Sequence, residues 1–277
     1  MVALLALRII KSSVNIVVSE REEWIENFTD KKKHSKWSWR FPPTELAKIY
    51  SEAKAVVAVS RGVAQEVSSV LNLDKNNIKT IYNPIVCSDL FQKAKIAVEH
   101  PWIKEKEFPI ILGVGRLVYQ KNFSALIKAF ALVKKHKPSK LIILGDGKER
   151  NNLQQLVHDF NLSEDVDLPG FNDNPYAFMD KSDIFVLSSI TEGLPNVLIE
   201  ALACGCPVIS TYCSEGPAEI LEYGRYGPMV AVNDEKALAE GIIRVLDNPP
   251  NPDWLRKRGW DFSVDKAAEA YLHVAGL

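Results

Sequence analysis

Two glutamates, Glu192 and Glu200, frame the stretch Thr191-Glu192-Gly193-Leu194-Pro195-Asn196-Val197-Leu198-Ile199-Glu200. An ionised carboxylate is an acceptor only, well matched to a pair of hydroxyls. The stretch follows Ile184-Phe185-Val186-Leu187, an apolar run that reads as a buried parallel strand. It leads into Val197–Ala203, which reads as a buried helix, with Pro195 suited to the first turn, where a missing N–H costs nothing. Glu192 therefore falls in a loop beyond the carboxyl end of a strand, and Glu200 inside the helix. Open α/β sheets bind ligands in that crevice, and the start of a helix favours phosphate. The pattern fits a ligand with hydroxyls at both ends and a diphosphate between them. It fits equally a surface glutamate in a loop and a second one on an exposed helix face.

Four further clusters follow strands. Gly113-Val114-Gly115-Arg116-Leu117, with Lys121 beyond, places glycines where backbone can approach a ligand. Arg116 can grip a phosphate through two bonds and Lys121 adds a point charge; the alternative is two solvated cations at a turn. Gly145-Asp146-Gly147 reads first as a tight turn. In Gly170-Phe171-Asn172, backbone groups can read the edge of a base and Phe171 can wall it, or Phe171 is a core side chain. Ser214-Glu215-Gly216-Pro217-Ala218-Glu219 reads either as a capped turn or as a holder of a sugar hydroxyl or phosphate. All of these but the Gly145 turn are placed on one rim of one sheet, which is better explained by a shared ligand than by coincidence.

The elements that must position them alternate. The first part reads as a helix over Val2–Ile10, a strand over Val14–Val18, a helix over Thr44–Ala53, a strand over Ala55–Val59, a helix from the cap Ser60 to Leu71 and a strand over Ile78–Ile81. Residues 85–108 break the pattern. A domain boundary falls there, giving an N-terminal part over 1–95, a linker over 96–108 and a C-terminal domain over 109–277. That domain reads as strands at Ile110–Gly115, Lys140–Leu144, Val166–Leu168, Ile184–Leu187, Pro207–Ser210 and Gly227–Val232. Helices at Phe123–Lys135, Glu149–Phe160, Pro175–Met179, Val197–Ala203, Pro217–Glu222 and Glu235–Leu246 separate them, and Phe262–Val274 closes the chain. Strands alternating with helices predict a parallel α/β sheet, doubly wound. The closing helix is expected to reach back to the N-terminal part.

Composition narrows the field. A net charge of −1 supplies no field for nucleic acid. No apolar run is long enough to span a bilayer. Cys87, Cys204, Cys206 and Cys213 show no metal spacing and no disulfide framework, which fits a reducing cytoplasm. The segment Lys31-Lys32-Lys33-His34-Ser35-Lys36-Trp37-Ser38-Trp39-Arg40 interleaves cations with tryptophan, as a segment resting on anionic headgroups would, or as a solvated loop with packed tryptophans would.

Together Gly115-Arg116-Leu117 with Lys121-Asn122, Gly170-Phe171, Glu192-Gly193-Leu194-Pro195 with Glu200, and Ser214-Glu215-Gly216-Pro217 resemble the donor half of retaining glycosyltransferases of the GT-B fold, carbohydrate-active family four. The branch is similar to those that build bacterial lipopolysaccharide, capsule or lipid-linked glycans. The resemblance runs over roughly 110–232 and, more weakly, through Val17–Glu20, Val57–Ser60 and Ile81–Pro84. It implies two Rossmann-like domains with a nucleotide sugar, a UDP-sugar, held mainly on the second. It implies that Arg116 and Lys121 bind the diphosphate and that Glu200 accepts the ribose hydroxyls. Glu192 would hold the transferred sugar, backbone around Gly193, Leu194, Pro195 and Asn196 would serve sugar or phosphate, and Gly170-Phe171 would contact the base. No metal or other cofactor is implied, and no carboxylate nucleophile; the acceptor would be a glycan or lipid-linked glycan. The family's opening glycine-rich βα unit and its histidine have no counterpart here, so the N-terminal Rossmann-like domain is expected to be partial. That leaves a second expectation, a catalytically impaired nucleotide-sugar-binding module or a fragment.

Overall fold

The computed structural model describes residues 16–21 and 43–277, so the readings of a helix over Val2–Ile10 and of a basic segment over Lys31–Arg40 lie outside the described residues. The described chain forms two compact units. The first holds residues up to Pro84 with Glu192–Leu194 and Val264–Leu277; the second holds Ile85–Thr191 and Pro195–Ser263.

The first unit carries the parallel strands β1 (Val17–Glu20), β2 (Ala55–Ala58) and β3 (Ile78–Thr80) in that order. Helix α1 (Pro43–Tyr50) precedes β2, and α2 (Arg61–Leu71) forms the crossover to β3. Ser60 caps α2 by accepting the Val63 N–H at 3.1 Å, satisfying a donor the helix cannot. Asn72 ends the helix in the left-handed conformation, φ 51°. The last helix, α12 (Val264–Ala275), belongs to this unit. Its Ala267, Ala270, Tyr271 and Val274 pack with Val17, Val57 and Ile81.

In the second unit six parallel strands run in the order β6-β5-β4-β7-β8-β9. They are β4 (Ile110–Val114), β5 (Lys140–Leu144), β6 (Val166–Gly170), β7 (Ile184–Leu187), β8 (Val208–Thr211) and β9 (Met229–Val230). Ile111, Leu141, Ile143, Ile184, Val186 and Ile209 form one buried face with α5 (Phe123–Lys134), α6 (Arg150–Asp159) and α10 (Glu235–Asp247). The residues alternating with them, Leu112, Ile142, Phe185 and Leu187, are as deeply buried on the other side. There α7 (Pro175–Lys181), α8 (Asn196–Cys204) and α11 (Pro252–Gly259) pack together. A sheet covered on both faces explains why its strands read as continuous apolar runs rather than alternating ones.

The division of the chain falls after Pro84, not after residue 95. Residues 85–108 form α3 (Ser88–Ala94) and α4 (Pro101–Lys104), both in the second unit. The Asn174 side chain donates to the Lys93 carbonyl at 3.0 Å, and the Ile85 and Val86 N–H groups reach the Phe262 carbonyl at 3.1 Å. His100 Nε2 lies 2.9 Å from Asp167 Oδ2, with its ring edge-on to Trp102. The stretch read as a linker is held by tertiary contacts that leave no periodicity in its sequence. For the same reason α11 was not read: only Leu255 and Gly259 of its eight residues are buried. Helix α9 (Glu215–Ile220) starts two residues earlier than its reading.

Candidate nucleotide and sugar site

The strand order reverses direction at β4 and β7: from β4 the chain moves to β5 and β6, and from β7 to β8 and β9 on the other side. At such a switch point the loops leaving the two strands part and open a crevice. Gly115, Arg116 and Lys121 leave β4, and Pro195 and Asn196 introduce the helix after β7.

The β4 loop is held from below by backbone. Gly115 N–H donates to the Leu144 carbonyl, Leu117 N–H to Asp146 and Glu149 N–H to Leu117, each at 2.9 Å. A Cβ on Gly145 (φ 141°) would overlap the Gly115 carbonyl oxygen, and one on Gly147 would overlap that of Leu117. Gly145-Asp146-Gly147 is thus more than a tight turn. It is the bed on which the Gly115–Leu117 loop rests, and its glycines are needed because backbone lies against backbone. Gly145 N–H also donates to the Gly170 carbonyl at 2.8 Å, which ties the β6 exit into the same arrangement.

Lys121 ends a short 3-10 turn, Tyr119–Lys121, and its stem runs back across Gly115: Cδ and Cε would stand 3.5 Å from a Cβ there. Arg116 is exposed while Leu117 beside it is buried and anchors the loop. The β7 exit is fastened to this turn, with Ser188 Oγ donating to the Lys121 carbonyl and Ile190 N–H to that of Gln120, both at 2.8 Å. Thr211, at the end of β8, donates to the Ser189 carbonyl at 2.6 Å. Buried Ser188, Ser189 and Thr211 thus lock three neighbouring exits together. The sequence reading missed them; a Ser-Ser pair directly after a buried strand was the available signal.

Pro195 occupies the N-cap position of α8, with Asn196 the first helical residue, one step later than the first-turn placement read from sequence. Leu198, Ile199 and Ala201–Cys204 bury the helix, and Gly205 (φ 79°) ends it in the left-handed conformation. Cys204 and Cys206 beyond it are buried free thiols. Burial pushes the Cys204 thiol up to about 12, which disfavours the thiolate form.

Glu200 is half-buried, and desolvation raises its carboxyl from 4.5 to about 7, although the Tyr176 hydroxyl, 3.4 Å away, donates to it and pulls the other way. The sign for stability follows. The unfolded state releases this proton near 4.5 and the folded state near 7, so stability falls across that window and the cost is complete above it. Glu200→Gln is expected to match the wild type in urea unfolding at pH 4.5. At pH 8 it is expected to be roughly 3 kcal/mol more stable. Equal stabilities at pH 8 would contradict this. A ligand that donates hydroxyls to the ionised group would recover part of that cost.

Phe171 is 79% exposed at the β6 exit and so is not a core side chain. Its neighbour Gly170 has φ 103° and open space above it. The structure therefore brings Gly115, Arg116, Lys121, Gly170, Phe171, Pro195, Asn196 and Glu200 to one unit, all but Glu200 on the carboxyl rim of its sheet. Glu192, Gly193 and Leu194 group by their contacts with the first unit.

A parallel sheet with this switch point, together with a smaller α/β unit, defines an α/β protein of the GT-B type. Residues 96–260 match the family described as Glycosyl transferases group 1, and the chain belongs to that family. It is 34% identical over 212 residues to the N-acetylgalactosamine-N,N'-diacetylbacillosaminyl-diphospho-undecaprenol 4-alpha-N-acetylgalactosaminyltransferase of Campylobacter jejuni, over 76% of this chain and 55% of that protein. It is 31% identical over 238 residues to the lipopolysaccharide core biosynthesis glycosyltransferase LpsE of Rhizobium meliloti, over 84% of this chain and 66% of that one. The chain thus spans between about half and two-thirds of these relatives. Its fold is similar to Anabaena HepE, solved in complex with UDP, with a TM-score of 0.78 at 19% identity over 100% of this chain and 76% of that one.

Proposed function

We propose that this chain binds a nucleotide sugar, a UDP-sugar, and serves a glycosyltransferase that moves the sugar to a glycan or lipid-linked acceptor with retention of anomeric configuration. The observation that carries the reading is the pair Arg116 and Lys121 at the switch point, on a loop braced by Gly145 and Gly147. Two cations carried on a braced loop stabilise the growing charge of a diphosphate as the sugar leaves. The start of α8 adds the positive end of its dipole. Glu200 accepts the ribose hydroxyls, Phe171 walls the base beside Gly170, and Glu192, by its match to the family motif, holds the transferred sugar. Backbone around Gly193, Leu194, Pro195 and Asn196 serves the phosphate or the sugar, by match to the same motif.

In the step proposed, the bond from the anomeric carbon to the terminal phosphate oxygen breaks and the acceptor oxygen bonds to that carbon on the same face. The acceptor proton passes to the departing phosphate oxygen. No protein carboxylate attacks, and with two cations serving the leaving group no metal is required. The relatives' roles, one on an undecaprenol-linked glycan and one in lipopolysaccharide core biosynthesis, support the acceptor class. The HepE complex supports UDP. Calorimetric titration with UDP, UDP-sugars and GDP tests the reading. Binding of UDP with preference over GDP is expected, and no heat at millimolar UDP would refute it.

Such acceptors reside in membranes, while no helix among the described residues is long and apolar enough to cross one. We therefore propose peripheral association at the cytoplasmic face through Lys31–Arg40. Flotation with phosphatidylglycerol vesicles is expected to carry the protein at low salt and release it at about 0.5 M salt. Flotation unaffected by salt, or none at all, would rule the segment out as an electrostatic anchor.

A further inference from the structure

The β8 exit carries a group of side chains to which the proposed function above gives no role. Tyr212 donates through its hydroxyl to Glu215 Oε1 at 2.8 Å, and Tyr223 donates to Glu215 Oε2 at 3.0 Å. One carboxylate is thus held by a phenol at each oxygen. Both rings remain in solvent, Tyr212 46% and Tyr223 64% exposed. The arrangement is built at a cost. Glu222 and Tyr223 are consecutive residues in the left-handed region, φ 45° and 54°, an unfavourable backbone for side chains of this kind. It is held by the Tyr223 N–H to the Ala218 carbonyl at 2.8 Å and by ion pairs of Glu222 with Arg225 and Arg258 at 2.9 and 3.3 Å. This reversal after α9 returns Tyr223 to Glu215 at the start of the same helix.

Its place on the sheet gives the group a use. Thr211, the residue before Tyr212, is tied to Ser189 on the β7 exit, and Tyr212 N–H pairs with the Val230 carbonyl at 2.7 Å. Along the rim the order is β6 with Phe171, β5, β4 with Arg116 and Lys121, β7, and then β8 with the two tyrosines. A nucleotide sugar whose base lies at β6 and whose phosphates lie at β4 and β7 points its sugar end towards β8. A pyranose presents a C–H face that suits the negative face of an aromatic ring, and hydroxyls that suit a carboxylate. Each Glu215 oxygen keeps a lone pair beyond the one its tyrosine uses.

We propose that Tyr212, Glu215 and Tyr223 form a pyranose-binding platform that selects the sugar ring, resting on the donor-site reading above for its orientation. The platform takes either the donor sugar or the acceptor sugar, which share this chemistry. Saturation-transfer NMR on the full chain distinguishes them, using UDP, UDP-glucose, UDP-N-acetylglucosamine and UDP-N-acetylgalactosamine, and the methyl α-glycosides of the same sugars with and without UDP. Sugar-proton signals are expected in the wild type. They should fall at least twofold in Glu215→Gln and further in Tyr223→Ala, with uridine signals unchanged. Dependence on the platform in the nucleotide-linked sugar alone assigns the donor, and in the methyl glycoside the acceptor. Tyr212→Phe and Tyr223→Phe keep the rings and free the carboxylate, and are expected to lose hydroxyl discrimination among the sugars while still showing contact. Sugar signals that are absent from both probe sets, or unchanged in Glu215→Gln and Tyr223→Ala, overturn the platform. Absent uridine signals overturn the donor reading instead, and the methyl glycosides still decide the platform.

Discussion

Arg116→Ala is expected to weaken UDP binding about 100-fold, or about 2.7 kcal/mol, while leaving the urea midpoint within error of the wild type. A charge-assisted bidentate grip on phosphate has this magnitude. The fold should not notice the change, because Arg116 is exposed and makes no ion pair among the described residues, while the loop is anchored by Leu117 and by backbone bonds to Leu144 and Asp146. Arg116→Lys is expected to recover only part of the loss, since an ammonium supplies a point charge without the planar fork. Calorimetry with UDP at fixed low salt measures the effect. A loss below threefold in Arg116→Ala would remove this residue from the phosphate site and, with it, the observation on which the proposed function rests.

Gly145→Ala is expected to be the most damaging single methyl group in the second unit. The added carbon would overlap the Gly115 carbonyl oxygen and stand 2.9 Å from its carbon, at a backbone angle of φ 141°. Both partners are main chain, so no rotamer relieves the overlap, and relief requires moving the loop that carries Arg116. Overpacking of this kind, added to strain at an unfavourable φ, is expected to cost about 3–5 kcal/mol or to prevent folding. Gly224→Ala is the matched control, since Gly224 also has a left-handed φ, 101°, but nothing within 4 Å of the added carbon. It should pay only the conformational cost, about 1 kcal/mol. Urea unfolding and soluble yield of the two variants decide the point. Equal losses would mean that the loop-on-loop bed yields freely and does not set the position of Arg116.

Where one physical cause acts over a whole segment, the sequence sufficed. Buried parallel strands print continuous apolar runs, so Ile110–Val114, Lys140–Leu144 and Ile184–Leu187 were legible, and with them the α/β class and the rim on which the glycine and cationic clusters fall. The residue types at Arg116, Lys121 and Glu200 announced their chemistry through charge and position after strands. Phe171 was legible as an aromatic but not as an exposed one, because exposure depends on what neighbouring loops leave uncovered. The burial that raises the Glu200 carboxyl depends likewise on elements distant in sequence.

Other features exist only in the folded chain. Gly145 and Gly147 looked like turn glycines until the β4 loop lay on them. Residues 85–108 had no repeating pattern because they are held by separate contacts, such as His100 with Asp167 and Asn174 with Lys93. The meeting of Tyr212 and Tyr223 on Glu215 required two left-handed residues that no propensity predicts. The two glutamates that begin the sequence argument divide in the same way. Their types and their place after a buried strand were fixed by local sequence. That Glu200 is half-buried beside Tyr176 in the second unit, while Glu192 groups with the first, was decided by tertiary contacts alone, since chain adjacency does not determine which unit a loop residue packs with.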